Sequence, residues 1–149
     1  MKSSSRIRMA DVSGKDITKR AAIAEGKVFA ERKTIEALAK GKVPKGDVLA
    51  AANISGIMAA KKTPELIPLC HPLEISNVKI DFKLNKTSVT IRSEVSCLGR
   101  TGVEMEALTA VLVAALTIYD MCKPIDKEMV ISNIRLLKKT GGKSGTWER

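Results

Sequence analysis

The stretch GVEMEALTAVLVAALTIYDMCK, residues 102–123, decides the fold of this chain. Ala, Leu and Met dominate it and no Gly or Pro interrupts it between Val103 and Cys122, so the sequence predicts one long helix. Apolar residues occupy every side of its middle, which is typical of a helix packed on several sides. Its uncharged run, residues 107–119, is shorter than the about 20 apolar residues that cross a bilayer. We therefore predict a core helix with charged groups at both ends.

These charged groups stand too far apart to act together within one copy of the chain. At about 1.5 Å of rise per residue, Glu104 and Asp120 lie roughly 24 Å apart along the helix axis. Either one end is structural, or each end contributes to a site that a second subunit completes. The plain alternative is that both ends carry solvated charges on a buried helix.

The charge balance narrows the class of partner. The 149 residues carry 26 Lys and Arg against 16 Asp and Glu, a formal net charge of +10, which favours a polyanionic partner. Aromatic residues make up only 3%, whereas proteins that bind single-stranded nucleic acid stack bases on aromatic side chains. We therefore favour a small phosphorylated ligand over nucleic acid or a membrane.

Cysteine usage and the N-terminus indicate a cytoplasmic protein. The three cysteines are odd in number and show neither disulfide nor zinc spacing, so we expect free thiols, a reducing compartment and no metal site. No apolar signal segment follows Met1. Residues 1–10 are predicted to form a flexible tail, and residues 11–149 a single domain.

Hydrophobic periodicity predicts the remaining elements. Residues 78–84 and 89–97 alternate apolar and polar side chains around a polar turn, which predicts a β-hairpin. Helices are predicted over residues 31–40 and, after an Asp47 N-cap, up to Lys62. Residues 129–137 predict another strand, and residues 17–30 fit either a strand or an irregular arm. This order indicates an α+β fold, an antiparallel sheet with helices packed on one face in a ferredoxin-like arrangement.

Three groups of residues are candidates for chemistry on residue type alone. His71 is the only histidine, and prolines on both sides hold it in a loop, where it is either structural or positioned for a ligand. Asp120 and Lys123 share a helix face, as a surface ion pair or as a pair that transfers protons. The tail TGGKSG, residues 140–145, lacks the first glycine of a phosphate-binding P-loop and the helix that follows it, so we reject a nucleotide hydrolase of that type. As a glycine-rich segment that carries Lys143, it is either solvated or able to wrap around an anion.

Several blocks together resemble one family. LIPLCHPL (residues 66–73), GVEMEALTAV (102–111), YDMCK (119–123) and the GGKSG tail are similar to the cyclic pyranopterin monophosphate synthase family, molybdenum cofactor biosynthesis protein C. The likeness covers nearly the whole chain past Arg8. It implies a ferredoxin-like subunit in a homohexamer, a trimer of dimers, with active sites at subunit interfaces.

The resemblance also implies the reaction. An upstream radical enzyme supplies 3′,8-cyclo-7,8-dihydroguanosine 5′-triphosphate, and a lyase of this family rearranges it to cyclic pyranopterin monophosphate with loss of pyrophosphate. No metal or other cofactor is implied. Ring opening and pterin formation need positioned acids and bases, and closing a cyclic phosphate needs cations around the developing charge.

Matching positions carry the family's site residues over to this sequence. The resemblance implies five catalytic residues: Asp120, Lys123, Lys45, His71 and Glu104. It implies substrate contacts from eight: Leu69, Cys70, His71, Met105, Glu106, Arg20, Lys61 and Lys139.

Two other functions stay open. A basic, non-enzymatic module that binds RNA or a nucleotide would show salt-dependent affinity for nucleic acid and would not need Asp120. A different nucleotide lyase or hydrolase would turn over GTP itself.

Overall fold

The computed structural model describes residues 6–149 as one antiparallel sheet covered by helices on one face. The strands are β1 (Thr18–Phe29), β2 (Ile75–Leu84), β3 (Ser88–Gly99), β4 (Val130–Thr140) and β5 (Trp147–Glu148). The helices are α1 (Arg32–Ala39), α2 (Val48–Lys61), α3 (Thr63–Leu66) and α4 (Glu104–Cys122). Across the sheet the strand order is β2-β3-β1-β4-β5, and every neighbouring pair is antiparallel. The predicted α+β, ferredoxin-like fold is confirmed.

The segment with two possible interpretations, residues 17–30, is the central strand β1. Its residues alternate between buried and less buried positions from Arg20 to Val28, and β3 and β4 pair with its two edges. The buried positions include Ala22 and Ala24, whose small side chains give only a weak hydropathy signal. The same small side chains let a helix approach the sheet closely.

The other predicted elements are confirmed with small changes in their bounds. Strands β2 and β3 form the hairpin, with Leu84 opposite Val89 next to the turn. Helix α2 begins after Asp47, whose Oδ1 accepts a hydrogen bond of 3.0 Å from the backbone N–H of Ala50. The predicted strand 129–137 is β4, which extends to Thr140.

Helix α4 lies at the centre of the fold. It contacts β1, β3 and β4 on one side and packs along α2 on another. Four alanines on the packed sides are fully buried: Ala107, Ala110, Ala114 and Ala115. At the crossing with α2, a Cβ on Gly56 would overlap the side chain of Ile80 and meet the carbonyl oxygen of Ala110 at 3.0 Å. The two helices therefore lie nearly backbone to backbone.

The third side of α4, turned away from the sheet, carries an exposed apolar stripe. Met105, Leu112 and Leu116 recur there at helical spacing, and Leu112 and Leu116 are 41% and 56% exposed. Ile54 and Met58 on α2 are exposed as well. Among the described residues, α4 alone is long and apolar enough by length and composition to cross a membrane, a test that a buried core helix also passes.

Helix α1 takes its N-terminal cap from a distant part of the chain. Glu31, at the N-cap position, makes no side-chain cap hydrogen bond. Instead Asp126, in the loop after α4, accepts hydrogen bonds from the Glu31 backbone N–H at 2.9 Å and from Thr34 Oγ1 at 3.0 Å. Asp126 is only 4% exposed, and its other oxygen accepts from the Glu128 backbone N–H. The loop after α4 thus fixes both the start of α1 and the entry into β4.

Of the predicted flexible tail, residues 1–5 lie outside the described part of the chain. The boundary at residue 10 stays a prediction.

Candidate active site

The charged residues predicted at the two ends of α4 form two separate groups. We call Lys45, Asp120 and Lys123 the lysine–aspartate cluster. We call the space beside Glu104, at the other end of the helix, the cation cavity. Within one copy the structure does not bring the two groups together, because the length of α4 lies between them.

The lysine–aspartate cluster joins the last turn of α4 to the loop before α2. Lys123 Nζ lies 3.0 Å from Asp120 Oδ1, and Lys45 Nζ lies 3.2 Å from Asp120 Oδ2. Lys45 also donates to the backbone carbonyl of Asp120 at 3.0 Å, so it satisfies one of the open carbonyls at the helix end. The buried side chain of Val43 anchors the loop that carries Lys45.

The two ammonium groups act on the Asp120 carboxylate in the same direction. Hydrogen bonds from Lys123 and then from Lys45 lower the pKa of Asp120 below its usual value. The carboxylate is therefore ionised in neutral solution, with a cationic donor on each of its oxygens. Such a triad can donate, relay and accept protons at the edge of the helix.

The cation cavity has a volume of about 570 Å³ and unites residues from three parts of the sequence, 15–20, 101–104 and 139–144. Three predicted residues line it: Arg20, Glu104 and Lys139. Lys139 Nζ lies 2.9 Å from Glu104 Oε1. Eight further residues, not predicted by the resemblance, complete the wall: Lys15, Asp16, Thr18, Thr101, Gly102, Gly142, Lys143 and Ser144. Four basic and two acidic side chains line this space, so it carries a net positive charge.

Arg20 is the most unusual of these cations because it is buried. It is only 7% exposed, and its guanidinium donates to the carbonyls of Gly99 and Arg100, each at 3.1 Å. Within residues 6–149 it forms no ion pair with a carboxylate. Burying a cation costs free energy unless an anion compensates its charge. The Arg20 guanidinium is therefore suited to binding an anionic ligand.

The glycine-rich tail closes one side of the cavity over Arg20. Gly141 and Gly142 adopt φ values of 95° and 81°, which favour glycine. A Cβ on Gly142 would overlap the Arg20 guanidinium, and one on Gly141 would overlap the backbone carbonyl of Lys19. The paired glycines therefore let the tail lie directly on Arg20 and bring Lys143 to the cavity.

A buried carboxyl and a thiol lie next to the cavity, in the first turn of α4. Glu106 is 1% exposed; its Oε1 accepts from Cys70 Sγ at 3.4 Å, and its Oε2 has no hydrogen-bond partner within the described residues. Burial raises the pKa of Glu106. Burial, together with the nearby Glu106, raises the pKa of the Cys70 thiol to about 11, so the thiol stays protonated.

His71 lies near the same end of α4. It lines a second cavity of about 340 Å³ with Arg100 and Thr101, and Thr101 also lines the cation cavity. Its Nε2 lies 2.7 Å from the carbonyl oxygen of Ala10. His71, Cys70 and the two glutamates thus surround the N-terminal end of α4.

Three predicted substrate contacts lie on the surface instead. Leu69 and Met105 are exposed, Met105 on the apolar stripe. Lys61 is exposed at the C-terminal end of α2 and forms no side-chain hydrogen bond or ion pair with residues 6–149. The structure brings none of them into the cation cavity of the same copy.

Sequence reasoning missed two cations at this end of α4: Lys15, which lines the cation cavity, and Arg100, which lines the second cavity with His71. Lys15 lies in an irregular segment before β1, and Arg100 lies in the loop before α4, where no periodicity marks them. Only Lys143 carried a signal, its glycine-rich setting. In the part of the chain that the structure describes, no three His, Cys, Asp or Glu side chains are grouped so that they could hold a metal ion.

Comparison of the chain with known proteins identifies its family. The chain is 56% identical over 144 residues to a cyclic pyranopterin monophosphate synthase of Pelotomaculum thermopropionicum, which covers 95% of this chain and 85% of the relative. It is 58% identical over 144 residues to the cyclic pyranopterin monophosphate synthase of a Roseiflexus species, with 95% of this chain and 91% of the relative covered. It is 57% identical over 142 residues to that of Streptomyces coelicolor, with 95% of this chain and 84% of the relative covered. Residues 9–142 match the MoaC family. The chain belongs to the MoaC family.

Proposed function

We propose that this chain is a lyase that converts 3′,8-cyclo-7,8-dihydroguanosine 5′-triphosphate into cyclic pyranopterin monophosphate and pyrophosphate. The observation that carries the proposal is the cation cavity, in which Arg20, Glu104 and Lys139 line one space although they lie far apart in the sequence. Relatives named for the synthase align over 95% of the chain, which supports the same activity.

The cation cavity binds the triphosphate of the substrate. Its volume of about 570 Å³ is in the range of small-molecule sites. The buried Arg20 guanidinium supplies a planar set of donors that suits phosphate oxygens, and Lys15, Lys139 and Lys143 add further positive charges. Attack on the α-phosphate leaves negative charge on the departing pyrophosphate, and these cations stabilise that charge.

The lysine–aspartate cluster performs proton transfer on the ring system. Asp120 is ionised and is held by two ammonium groups, so it can accept a proton while Lys45 or Lys123 donates one. His71 and Glu104 act as further acid and base groups from the other end of α4. The buried Glu106 and the half-buried Cys70 lie beside them as a hydrogen-bonded pair that binds the substrate.

Each active site combines two copies of the chain. The two groups lie roughly 24 Å apart along α4, too far to touch one substrate from the same copy. The apolar stripe between them is an uncovered surface of the kind that subunits bury. Antiparallel pairing of two α4 helices on this stripe brings the Glu104 end of one copy to the Asp120 end of its partner. Two-fold symmetry then makes two equal sites, and three such dimers make the hexamer.

The remaining parts of the proposal follow from the reaction. The protein acts in the cytoplasm, and a radical enzyme that works on GTP supplies its substrate. Lys61, Leu69 and Met105, exposed in one copy, contact the substrate from the subunit interface. No metal or other cofactor takes part in this scheme.

Supplying the cyclic dihydro-GTP substrate to the purified, assembled protein tests the function directly. We expect cyclic pyranopterin monophosphate and one pyrophosphate per turnover. Asp120→Asn should lower kcat by at least about 100-fold, the usual contribution of a proton-transferring group. Asp81→Asn is the matched control, because the Asp81 side chain is about as exposed as that of Asp120 and forms an ion pair of 3.2 Å with Lys79 on the surface of β2. Absence of turnover by assembled protein contradicts the proposal.

Two further arms separate the alternatives. Turnover of GTP alone, with or without magnesium, indicates a different nucleotide lyase or hydrolase. Salt-dependent binding of RNA that Asp120→Asn leaves unchanged indicates a non-enzymatic binding module.

A further inference from the structure

The segment before β1 contacts His71, the only histidine of the chain. His71 Nε2 lies 2.7 Å from the backbone carbonyl oxygen of Ala10. A carbonyl oxygen only accepts hydrogen bonds, so the ring nitrogen in this contact must carry the proton. In neutral imidazole the other nitrogen, Nδ1, is then without a proton and is the one able to accept one.

The Ala10 carbonyl is held in place by a turn that follows it at once. Asp11 Oδ1 accepts from the Ser13 backbone N–H at 2.9 Å and from Ser13 Oγ at 2.6 Å. The Lys15 N–H donates to the Val12 carbonyl at 3.0 Å. Side-chain bonds of this kind fix the local backbone of a segment that has no helix or strand.

The ring is constrained from its own side as well. Pro72 follows His71 and restricts its backbone to extended conformations. Val12 lines the same cavity as His71 and comes from the segment that carries Ala10. The contact therefore joins a segment that is fixed by its own hydrogen bonds to a residue whose backbone is restricted by Pro72.

We propose that Ala10 is a positioning residue for His71: its carbonyl keeps the imidazole in the Nε2–H tautomer, so that Nδ1 is the proton acceptor in the reaction. The tautomer follows from the contact alone. The use of Nδ1 in catalysis rests on the proposed function of His71.

A nitrogen NMR spectrum tests the tautomer without ambiguity of assignment. In untagged protein labelled with ¹⁵N in histidine only, His71 gives the whole signal because the chain has one histidine. At alkaline pH, where imidazole is neutral, we expect one protonated and one bare nitrogen, with the protonated one assigned to Nε2 by its couplings to both ring-carbon protons. A protonated Nδ1, or two nitrogens averaged by exchange, overturns the proposal.

Deletion variants test the role of the Ala10 carbonyl. In a chain where Met directly precedes Val12, residue 10 is absent, and we expect the two nitrogen signals to move towards each other as the tautomers exchange. We expect kcat to fall by roughly 3- to 10-fold, with KM little changed, because only the orientation of one acid–base group is lost. An unchanged spectrum in this variant, with the fold intact, overturns the proposal.

Two controls separate the carbonyl from other effects. Deletion of residues 2–8 keeps Ala10 and should leave the spectrum and kcat as in the wild type. Asp11→Asn keeps the turn and the carbonyl but removes the charge near the ring, and should leave the tautomer unchanged. The wild-type spectrum decides the tautomer even if the longer deletion fails to fold. If His71→Ala turns over normally, the catalytic use of Nδ1 is wrong while the spectral result stands.

Discussion

Mixing two inactive variants offers a quantitative test of the shared active site. His71→Ala damages the end of α4 where Cys70 bonds to Glu106, and Asp120→Ala damages the opposite end. If each site takes one end from each of two copies, neither variant alone has an intact site. A mixed dimer, however, contains one intact site and one site with both defects.

The expected activity follows from counting. With equal amounts and free exchange, each half of a site is intact in about one case in two, so about a quarter of wild-type activity returns. The roughly 24 Å along α4 excludes an intact site within one copy of either variant. Activity on mixing should therefore rise from the background of either variant to this level and should not exceed it.

The assay measures pyrophosphate release from the cyclic dihydro-GTP substrate, while native mass spectrometry shows that subunits have exchanged. A mixture of Lys45→Ala and Asp120→Ala is the matched control. Lys45 Nζ lies 3.2 Å from Asp120 Oδ2 in the same copy, so both changes damage the same half-site and no activity should return. No recovery by the His71→Ala and Asp120→Ala mixture after proven exchange would refute the two-copy site.

Three other predictions test separate parts of the structure. Gly142→Ala places a Cβ against the Arg20 guanidinium and should weaken pyrophosphate binding about tenfold by calorimetry. Gly145→Ala has similar backbone strain at φ 64° but open space around it, and should change binding far less. Leu116→Glu on the apolar stripe should weaken dimers by about 3 kcal/mol, since symmetry removes two apolar contacts, and sedimentation would show smaller species. Burial raises the pKa of Glu106, so the neutral carboxyl stabilises the fold at low pH. That stabilisation is lost as the pH rises through the folded-state pKa of Glu106. Glu106→Gln, which stays neutral, should therefore gain in Tm relative to the wild type as pH rises; an equal difference at every pH would contradict the burial argument.

Elements with a strong local signal could be predicted from the sequence alone. The hairpin was predicted because its buried positions hold large apolar side chains at alternate residues, such as Ile91. Helix α4 was predicted because helix formers dominate it and no Gly or Pro interrupts it. Strand β1 stayed ambiguous because its buried positions are held by Ala22, Ala24 and a buried arginine, which do not look hydrophobic. Its burial follows from the packing of α4, which a local pattern does not contain.

The residues of the candidate site also differ in whether the sequence could predict them. Asp120 and Lys123 lie one helical turn apart, so local spacing predicted their ion pair. Lys45 is 75 residues from Asp120, and only the family resemblance suggested that they act together. Neither source pointed to Lys15 or to the carbonyl that holds His71, because irregular segments acquire their neighbours only when the whole chain folds.

The cap of α1 has a consequence for the order in which the protein matures during synthesis. Thr34 bonds to a carboxylate 92 residues further along the chain. A ribosome that has made α1 must still produce the hairpin and the whole of α4 before that carboxylate emerges. The first helix of the nascent chain therefore lacks the Asp126 hydrogen bonds at its start until the loop after α4 has been made.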